Sequence, residues 1–299
     1  METIKLTFLG TGNAIPTKKR NHTAILVSFA NENLLIDCGE GTQRQFRTMD
    51  LSPTKLTRIF ITHWHGDHVL GLPGLFQTLA LSNYQKTLKI YGPKGTKRYI
   101  QLIQELIIDF HINLEIHEIE AGTILDEKDF KVEAANMQHG KPTLAYSLIL
   151  KDKIRLNKSK LKKLKLPNSP ILKELQKGKD IIFNGKKIKA KDVVYKEKGK
   201  KITFILDTAI NNNAINLAKD SDILVTESSF TKEELERAKE YKHLTASQAA
   251  EIAKKSKSKK LLLTHISQRY EHHPEIIEKE AKKIFKNTKL VKDFDSLKF

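Results

Sequence analysis

Short apolar segments with the length of β-strands recur along the whole chain, and segments with helical spacing separate them. Strand-like runs rich in β-branched residues occur in both halves, at 3–9, 22–28, 33–37, 57–61, 201–206, 222–226 and 260–264. Helical spacing also occurs in both halves, at 67–82, 95–109, 245–257 and 275–286. No clear linker divides the chain. The pattern predicts an α+β protein, a single domain over 1–299 in which packed sheets are flanked by helices.

The segment Ile-Thr-His-Trp-His-Gly-Asp-His, which ends at His68, is the most informative one in the chain. Its four polar groups, on His63, His65, Asp67 and His68, follow an apolar strand directly and cannot spread far apart. Imidazole and carboxylate groups are ligands that zinc-like metals prefer. Histidines on an ordinary surface loop are the alternative, but four polar groups crowded after a buried strand favour a metal site.

Three further candidate ligands, His139, Asp207 and His265, also follow apolar strands. Strand ends meet loops and solvent at the edge of a sheet, so polar side chains placed there can share one site. Seven candidates exceed the four ligands of a single zinc ion, and two ions bridged by one carboxylate would use them all. Two-metal sites activate water and stabilise the attacking and leaving oxygens in phosphodiester hydrolysis.

The positive charge of the chain is concentrated in one segment. The formal net charge is +18, and residues 151–200 contain 18 Lys and Arg but only five Asp and Glu, which is a net charge of +13. Residues 152–198 show little core-forming pattern, which indicates an insertion that projects from the main body. Such a segment is typical of nucleic-acid binding, although a solvated Lys-rich face has the same composition.

The composition also bears on the compartment. Cys38 is the only cysteine, so an internal disulfide is excluded and a reducing environment is favoured. No uninterrupted apolar run approaches the ~20 residues that a membrane-spanning helix needs, and the N-terminus alternates like a strand rather than a signal peptide. A soluble, cytoplasmic protein without membrane contact is expected.

Taken together, these motifs resemble the metallo-β-lactamase superfamily and, within it, the ribonuclease Z family of tRNA 3′-processing endonucleases. The superfamily resemblance rests on the His-x-His-x-Asp-His segment and the three later candidate ligands. The narrower resemblance rests on five stretches that occur in the same order as in the family, at 8–12, 16–21, 37–45, 243–246 and 264–270. The stretch at 16–21 is a Pro-x-Lys-x-Arg-Asn loop.

The resemblance implies a fold, a cofactor and a set of ligands. The fold would be an αββα four-layer sandwich with a projecting basic arm, and each subunit of a homodimer would hold two Zn²⁺, other divalent metals being possible. Three histidines would bind the first ion, namely His63, His65 and His139. The second ion would be bound by Asp67, His68 and His265. Asp207 would bridge the two ions.

The resemblance also implies residues that act on the substrate. Asp67 is the proton acceptor assigned in the family, and His243 would stabilise charge or protonate the leaving oxygen near the scissile phosphate. A surface histidine before a helix is the alternative for His243. The remaining histidines, at 22, 111, 117, 272 and 273, are interpreted as structural or surface residues.

Two regions of the chain are candidates for contact with RNA. In the loop at 16–21, Lys18, Arg20 and Asn21 offer two charges and an amide suited to phosphate or base edges, with an ordinary basic turn as the alternative. Arg269, in the last motif, is a further candidate. The insertion at 152–198 falls where the family carries its flexible tRNA-binding arm, which favours nucleic-acid binding for this segment.

The leading functional hypothesis is a zinc-dependent endoribonuclease that removes 3′ trailers from precursor tRNA. Its products would be a tRNA with a 3′-hydroxyl and a trailer with a 5′-phosphate. One alternative is another hydrolase of this fold that acts on a small phosphodiester or ester, against which the 16–21 loop and the basic insertion argue. The other is a catalytically inactive RNA-binding subunit, against which the complete ligand set argues.

Overall fold

The structure is a computed structural model that describes residues 3–107 and 112–299. The end of the predicted helix at 108–109 and His111 lie outside the described residues. The described part contains eighteen strands: β1 (Lys5–Gly10), β2 (Ala24–Phe29), β3 (Glu32–Ile36), β4 (Arg58–Phe60), β5 (Thr87–Gly92), β6 (Asn113–Glu118), β7 (Gly122–Asp126), β8 (Phe130–Asn136), β9 (Leu144–Leu150), β10 (Lys153–Leu156), β11 (Ile181–Phe183), β12 (Lys186–Ile188), β13 (Val194–Glu197), β14 (Lys201–Ile205), β15 (Ile223–Glu227), β16 (Leu261–Thr264), β17 (Thr288–Leu290) and β18 (Ser296–Lys298).

The helices are distributed over the same residues. They are α1 (Thr42–Thr48), α2 (Gly66–Val69), α3 (Leu72–Leu81), α4 (Thr96–Leu106), α5 (Lys158–Lys163), α6 (Ile171–Gln176), α7 (Ala190–Val193), α8 (Asn212–Leu217), α9 (Leu235–Tyr241), α10 (Ala246–Lys255) and α11 (Glu275–Lys282). Among these helices of the described residues, none combines the length and the apolar composition needed to cross a bilayer.

Two seven-stranded sheets form the body, and each is half antiparallel and half parallel. The first sheet has the order β18-β1-β2-β3-β4-β5-β6 and is parallel from β3 to β6. The second has the order β17-β16-β15-β14-β9-β8-β7 and is parallel from β14 to β17. The carboxyl ends of parallel strands share one edge of a sheet, where ligand sites of α/β folds form.

Three apolar clusters show that the layers follow the predicted order of helices, sheet, sheet and helices. One cluster lies between the sheets and contains Phe8 of β1 together with Phe204 of β14. A second joins the first sheet to α1, α3 and α4, and a third joins the other sheet to α8, α10 and α11. Burial of both faces explains why β15 and β16, which are buried at every residue, each begin with three apolar residues and carry polar ones only at the carboxyl end. The predicted αββα arrangement is therefore confirmed.

The predicted helix over 67–82 is wrong in one respect, because the chain forms α2 and α3 with a break at Gly71. A Cβ atom at Gly71 would lie 2.0 Å from the carbonyl oxygen of Gly39, so only glycine allows this approach. The Gly71 amide donates a hydrogen bond to the Cys38 carbonyl at 2.9 Å. The break thus fixes the segment after His68 against the loop that follows β3.

Residues 152–198, called the arm below, differ from the sequence-based expectation of little core-forming pattern. Strands β10 and β13 pair as an antiparallel ribbon at the base of the arm. Beyond the ribbon, the arm has its own apolar cluster, which includes Leu161, Leu175 and Val193 and is separate from the three clusters of the body. The arm is therefore a small folded unit, held together by apolar residues spaced between lysines.

Candidate metal centre

The candidate site lies where the carboxyl ends of the parallel strands of both sheets meet. His63 and Asp207 lie a few residues beyond β4 and β14, and His265 directly follows β16. The loops after β1 and β16 are joined here by a bridge between Gly12 and Ile266. The strand-end positions noted in the sequence thus meet in one place, as parallel strand ends should.

The structure brings all seven predicted ligands together, and they fall into two groups that share Asp207. In the first group, His65 Nδ1 lies 3.0 Å from His63 Nε2 and 3.1 Å from His139 Nε2. Asp207 Oδ2 lies 3.5 Å from His63 Nε2 and 3.8 Å from His139 Nε2. All four ligand atoms of this group lie within 4.8 Å of one another.

The second group uses the other oxygen of Asp207. Asp207 Oδ1 lies 3.1 Å from His265 Nε2 and 3.3 Å from His68 Nε2. Asp67 Oδ2 lies 3.3 Å from His265 Nε2 and 3.4 Å from His68 Nε2. Asp207 therefore presents one carboxylate oxygen to each group, which is the arrangement of a bridging ligand.

The chemistry and spacing of these atoms fit metal binding. Four ligands at about 2.0–2.1 Å around a tetrahedral zinc ion are about 3.3 Å from one another, close to the separations in both groups. His68 Nε2 and Asp207 Oδ1 are buried, and within the described residues they have no hydrogen-bond partner. Buried polar atoms are normally satisfied, so these two atoms indicate a ligand between them.

The second nitrogen of several ligand rings is held by a neighbouring group. His68 Nδ1 lies 2.7 Å from Asp37 Oδ2, and Asp37 also accepts hydrogen bonds from the amide and hydroxyl of Thr62. His139 Nδ1 lies 3.2 Å from the carbonyl oxygen of Lys242. Such contacts fix the ring orientation and leave the other nitrogen free for the metal. They are formed within the protein alone, so the site is preorganised.

The ionisation of the rings suits a cation. Burial lowers the pKa of His63, His65 and His139, so these imidazoles are neutral at pH 7, the form that binds metal. Burial has the same tendency at His68, but the carboxylates of Asp207, Asp67 and Asp37 outweigh it and raise the pKa of this ring. Three carboxylates around one imidazole give the second group an excess of negative charge.

Sequence reasoning missed Glu227, which holds His243 in place. Glu227 is fully buried at the end of β15, and its Oε2 and Oε1 lie 3.0 and 3.1 Å from His243 Nδ1. It also accepts hydrogen bonds from the Thr208 amide and the Ser229 hydroxyl. Burial lowers the pKa of His243, but Glu227 and Asp207 raise it overall to about 9. The signal in the sequence was a carboxylate ending an apolar strand, the same signal that identified Asp207.

Arg20, one of the predicted substrate contacts, is held inside the protein. This side chain is only 8% exposed, and its Nη1 donates hydrogen bonds to Thr11 Oγ1 at 2.6 Å and to the Val291 carbonyl at 2.7 Å. The backbone amide of the adjacent Asn21 donates a hydrogen bond to Asp293 Oδ2 at 2.7 Å. These contacts of Nη1 tie the 16–21 loop to the loop after β1 and to the end of the chain, and contact of Arg20 with RNA stays a prediction. Lys18 in the same loop is exposed.

Asn21 and Arg269 differ in how far their side chains are engaged. Asn21 Nδ2 donates a hydrogen bond to the Glu40 carbonyl at 2.6 Å. Arg269 lies at the rim of the site, about one third exposed, with Nη1 3.3 Å from Glu234 Oε2 and its guanidinium 5.7 Å from the centre of the Phe230 ring. Lys18 and Arg269 are thus the two predicted substrate contacts whose charged groups reach solvent.

Comparison with known proteins gives the family. A family model described as anti-Pycsar protein Apyc1 matches residues 4–195, which places this part of the chain in that model's family. The match ends before Asp207, His243 and His265. A ribonuclease Z from Bacillus velezensis is 38% identical to this chain over 301 residues, and the alignment covers 97% of each of the two chains.

Solved structures agree with the sequence relatives. The crystal structure of human tRNase Z, short form, superposes with a TM-score of 0.71 at 27% identity and 98% coverage of both chains. The metallo-β-lactamase fold protein YhfI from Bacillus subtilis superposes with a TM-score of 0.73 over 100% of both chains, at 18% identity, and shows the fold alone. Since the similarity to ribonuclease Z covers nearly the whole chain, the chain belongs to the ribonuclease Z family and has the metallo-β-lactamase fold.

Proposed function

We propose that this chain is a zinc-dependent endoribonuclease that removes 3′ trailers from precursor tRNA. The observation that carries the proposal is the pair of ligand groups that share Asp207 through its two oxygens. We assign two Zn²⁺ to these groups, because imidazole and carboxylate in four-ligand sets suit zinc. The products would be a tRNA 3′-hydroxyl and a trailer 5′-phosphate.

The roles of the side chains follow from their position around the two groups. When bound, the two ions would polarise the scissile phosphate and lower the pKa of the attacking water. Burial tends to raise the pKa of Asp67, but His68 and His265 hold it well below its usual range, so Asp67 is ionised at neutral pH. An ionised Asp67 would help to hold the second ion and would orient the attacking water, whose proton it would accept once the ions have lowered the pKa of that water.

His243 is placed to complete the reaction on the leaving side. Its Nδ1 is engaged by Glu227, so Nε2 is the nitrogen left for a substrate. With a pKa of about 9, the ring is protonated at neutral pH and can donate a proton to the leaving 3′-oxygen. Glu227 is a positioning residue that keeps His243 charged.

Replacing Glu227 by glutamine tests this pairing through pH. Loss of the carboxylate lowers the pKa of His243 below its value of about 9. As pH rises, the ring therefore loses its proton, and with it the acid of the reaction, at a lower pH than in the wild type. We expect the alkaline limb of the kcat/KM profile to move to lower pH and the rate at pH 8 to fall about 10- to 100-fold. Glu236→Gln, at an exposed carboxylate of α9, is the control. An unchanged alkaline limb in Glu227→Gln would show that His243 is not the acid.

RNA binding is assigned to the arm and to the exposed cations at the rim of the site. The arm carries most of the net positive charge, and none of the seven ligands lies within it. Contacts between lysines and phosphates would give affinity without reading sequence, as in recognition of RNA by shape. Lys18 and Arg269 would then contact the RNA close to the scissile bond.

A homodimer is also part of the proposal. Tyr99, Leu102 and Leu106 are exposed on α4 at spacings of three and four residues, which form one apolar stripe. Tyr99 also contacts Trp64, between two of the ligand histidines, with ring centres 4.7 Å apart. Light scattering should give twice the chain mass of 34.2 kDa, and a monomeric mass would contradict this part of the proposal.

Cleavage of a 3′-extended tRNA precursor, with and without a chelator, is the experiment that tests the function. The expected result is trailer release that chelation stops and zinc restores, with ends mapped to a 3′-hydroxyl and a 5′-phosphate. Cleavage of small phosphodiesters but not of the precursor would favour the alternative hydrolase. RNA binding without cleavage of either would favour an inactive binding subunit. We place the activity in the cytoplasm, which cell fractionation would check.

A further inference from the structure

The arm contains a cavity of about 790 Å³ between the ribbon of β10 and β13 and the helices α5 and α6. Every residue that lines it belongs to the arm, so it is separate from the metal ligands. Its volume lies in the range of about 300–1,000 Å³ that is typical of small-ligand sites in proteins. The apolar cluster of the arm therefore does not fill the arm completely, and the cavity lies next to it.

The walls of the cavity combine an apolar floor with a basic rim. Leu161 and Leu172, both buried, form part of the floor. Lys158 and Lys162 lie one turn apart on α5 and are exposed at the rim. In the described residues, neither lysine has an acidic group within 4.0 Å, so their charge is available to an anion. A neutral apolar ligand would leave both charges unused.

A flat aromatic ring and a guanidinium stand side by side in the wall of the cavity, and the guanidinium of Arg155 is held by Glu197, with Nε 2.6 Å from Oε2. Tyr195 is 50% exposed and lies directly across the ribbon from Arg155 in the strand register. Tyrosine rings and guanidinium planes are the surfaces on which unstacked RNA bases lie. Asn168 and Gln176 also line the cavity, and their amides are suited to the donors and acceptors of a base edge.

From these walls we infer that the cavity takes one unstacked nucleotide of the RNA substrate. The base lies on Tyr195, and its phosphate lies against Lys158 and Lys162. A double helix is far too wide to enter a space of this size, so the cavity adds selectivity for an unpaired nucleotide to the charge attraction of the arm. This inference rests on the proposed function for its choice of ligand, because that function requires the arm to hold RNA.

Binding of a fluorescent five-nucleotide oligoadenylate to the full-length protein, in the presence of a chelator that prevents cleavage, tests the inference. Tyr195→Ala should weaken this binding about 5- to 100-fold, the effect of removing one stacking platform, and Tyr195→Phe should keep it near the wild-type value. Ile182→Ala is the control, because Ile182 is 73% exposed on the arm but does not line the cavity. A blunt-ended RNA duplex, which has no unpaired nucleotide and is bound through phosphates, should bind all variants alike and thereby report that the arm is folded.

The outcomes separate this inference from the proposed function. Equal oligoadenylate binding by wild type and Tyr195→Ala, with duplex binding intact, would overturn the inference and leave the function standing. The same holds if Ile182→Ala weakens binding as much as Tyr195→Ala. A wild-type protein that binds neither precursor tRNA nor oligoadenylate would overturn both. A loss confined to Tyr195→Ala, together with retention in Tyr195→Phe, would support the site.

Discussion

Asp207→Asn is expected to lower kcat for RNA cleavage by at least about 1,000-fold. Asp207 presents Oδ1 to one ligand group and Oδ2 to the other, and asparagine replaces one of these anionic oxygens by an amide that cannot bind a cation. At 1.36 kcal/mol for each factor of ten, the loss corresponds to about 4 kcal/mol of transition-state stabilisation, within the several kcal/mol that metal ions supply. Elemental analysis should show fewer than two ions per chain.

The backbone at Asp207 allows a matched control. Asp207 has a φ angle of +28°, on the left-handed side of the map, where asparagine is well tolerated, so the fold should survive the substitution. Asp220 is exposed and also left-handed, with a φ angle of +56°, and it lies outside both ligand groups. Asp220→Asn should therefore retain wild-type turnover and metal content. A fully metallated Asp207→Asn with near wild-type turnover would contradict the bridging role.

Replacing residues 155–195 by a short Gly-Ser linker is expected to weaken binding of precursor tRNA about 100-fold or more at 50 mM salt. The deletion removes thirteen Lys and Arg and three Asp and Glu, a net charge of +10. Since phosphate contacts release counterions, the dependence of affinity on salt should become shallower as well. Hydrolysis of a small phosphodiester should stay within about twofold of wild type, because every metal ligand lies outside the deleted segment.

The structure supports this deletion because the arm has a core of its own. Its apolar cluster is separate from those of the body, so removing it exposes little of the main core. Thermal unfolding of the body should therefore change little. Lys254→Gln with Lys255→Gln, at the end of α10 and outside the deleted segment, is the charge control and should retain tRNA affinity. Unchanged tRNA affinity in the deletion variant would refute RNA binding by the arm.

The layers and the positions of the ligands were predictable from the sequence because they depend on local patterns. An apolar strand followed by histidine or aspartate is visible in the chain, and parallel strands bring their carboxyl ends together whatever the loops do. His63, Asp207 and His265 all show this pattern in the sequence. Glu227 carries the same signal, but its importance depends on His243, which reaches it only through tertiary packing.

Other features were hidden because distant residues determine them. Arg20 was indistinguishable from an exposed arginine in the sequence, and its burial depends on Thr11, Val291 and Asp293. The break at Gly71 depends on the backbone of Gly39, which is far away in the chain. The core of the arm was missed because its leucines and isoleucines are spaced among lysines, which obscures their periodicity. In each case a long-range contact overrides the local pattern.

The last strands of the chain are divided between the two sheets, and this has a consequence for synthesis. β18 pairs with β1 in the first sheet, and β17 lies at the edge of the second. Between them, Asp293 holds the backbone of Asn21 in the 16–21 loop. The nascent protein therefore cannot add the edge strand β18 or β17 to either sheet, or hold the 16–21 loop through Asp293, until residues 288–299 have left the ribosome.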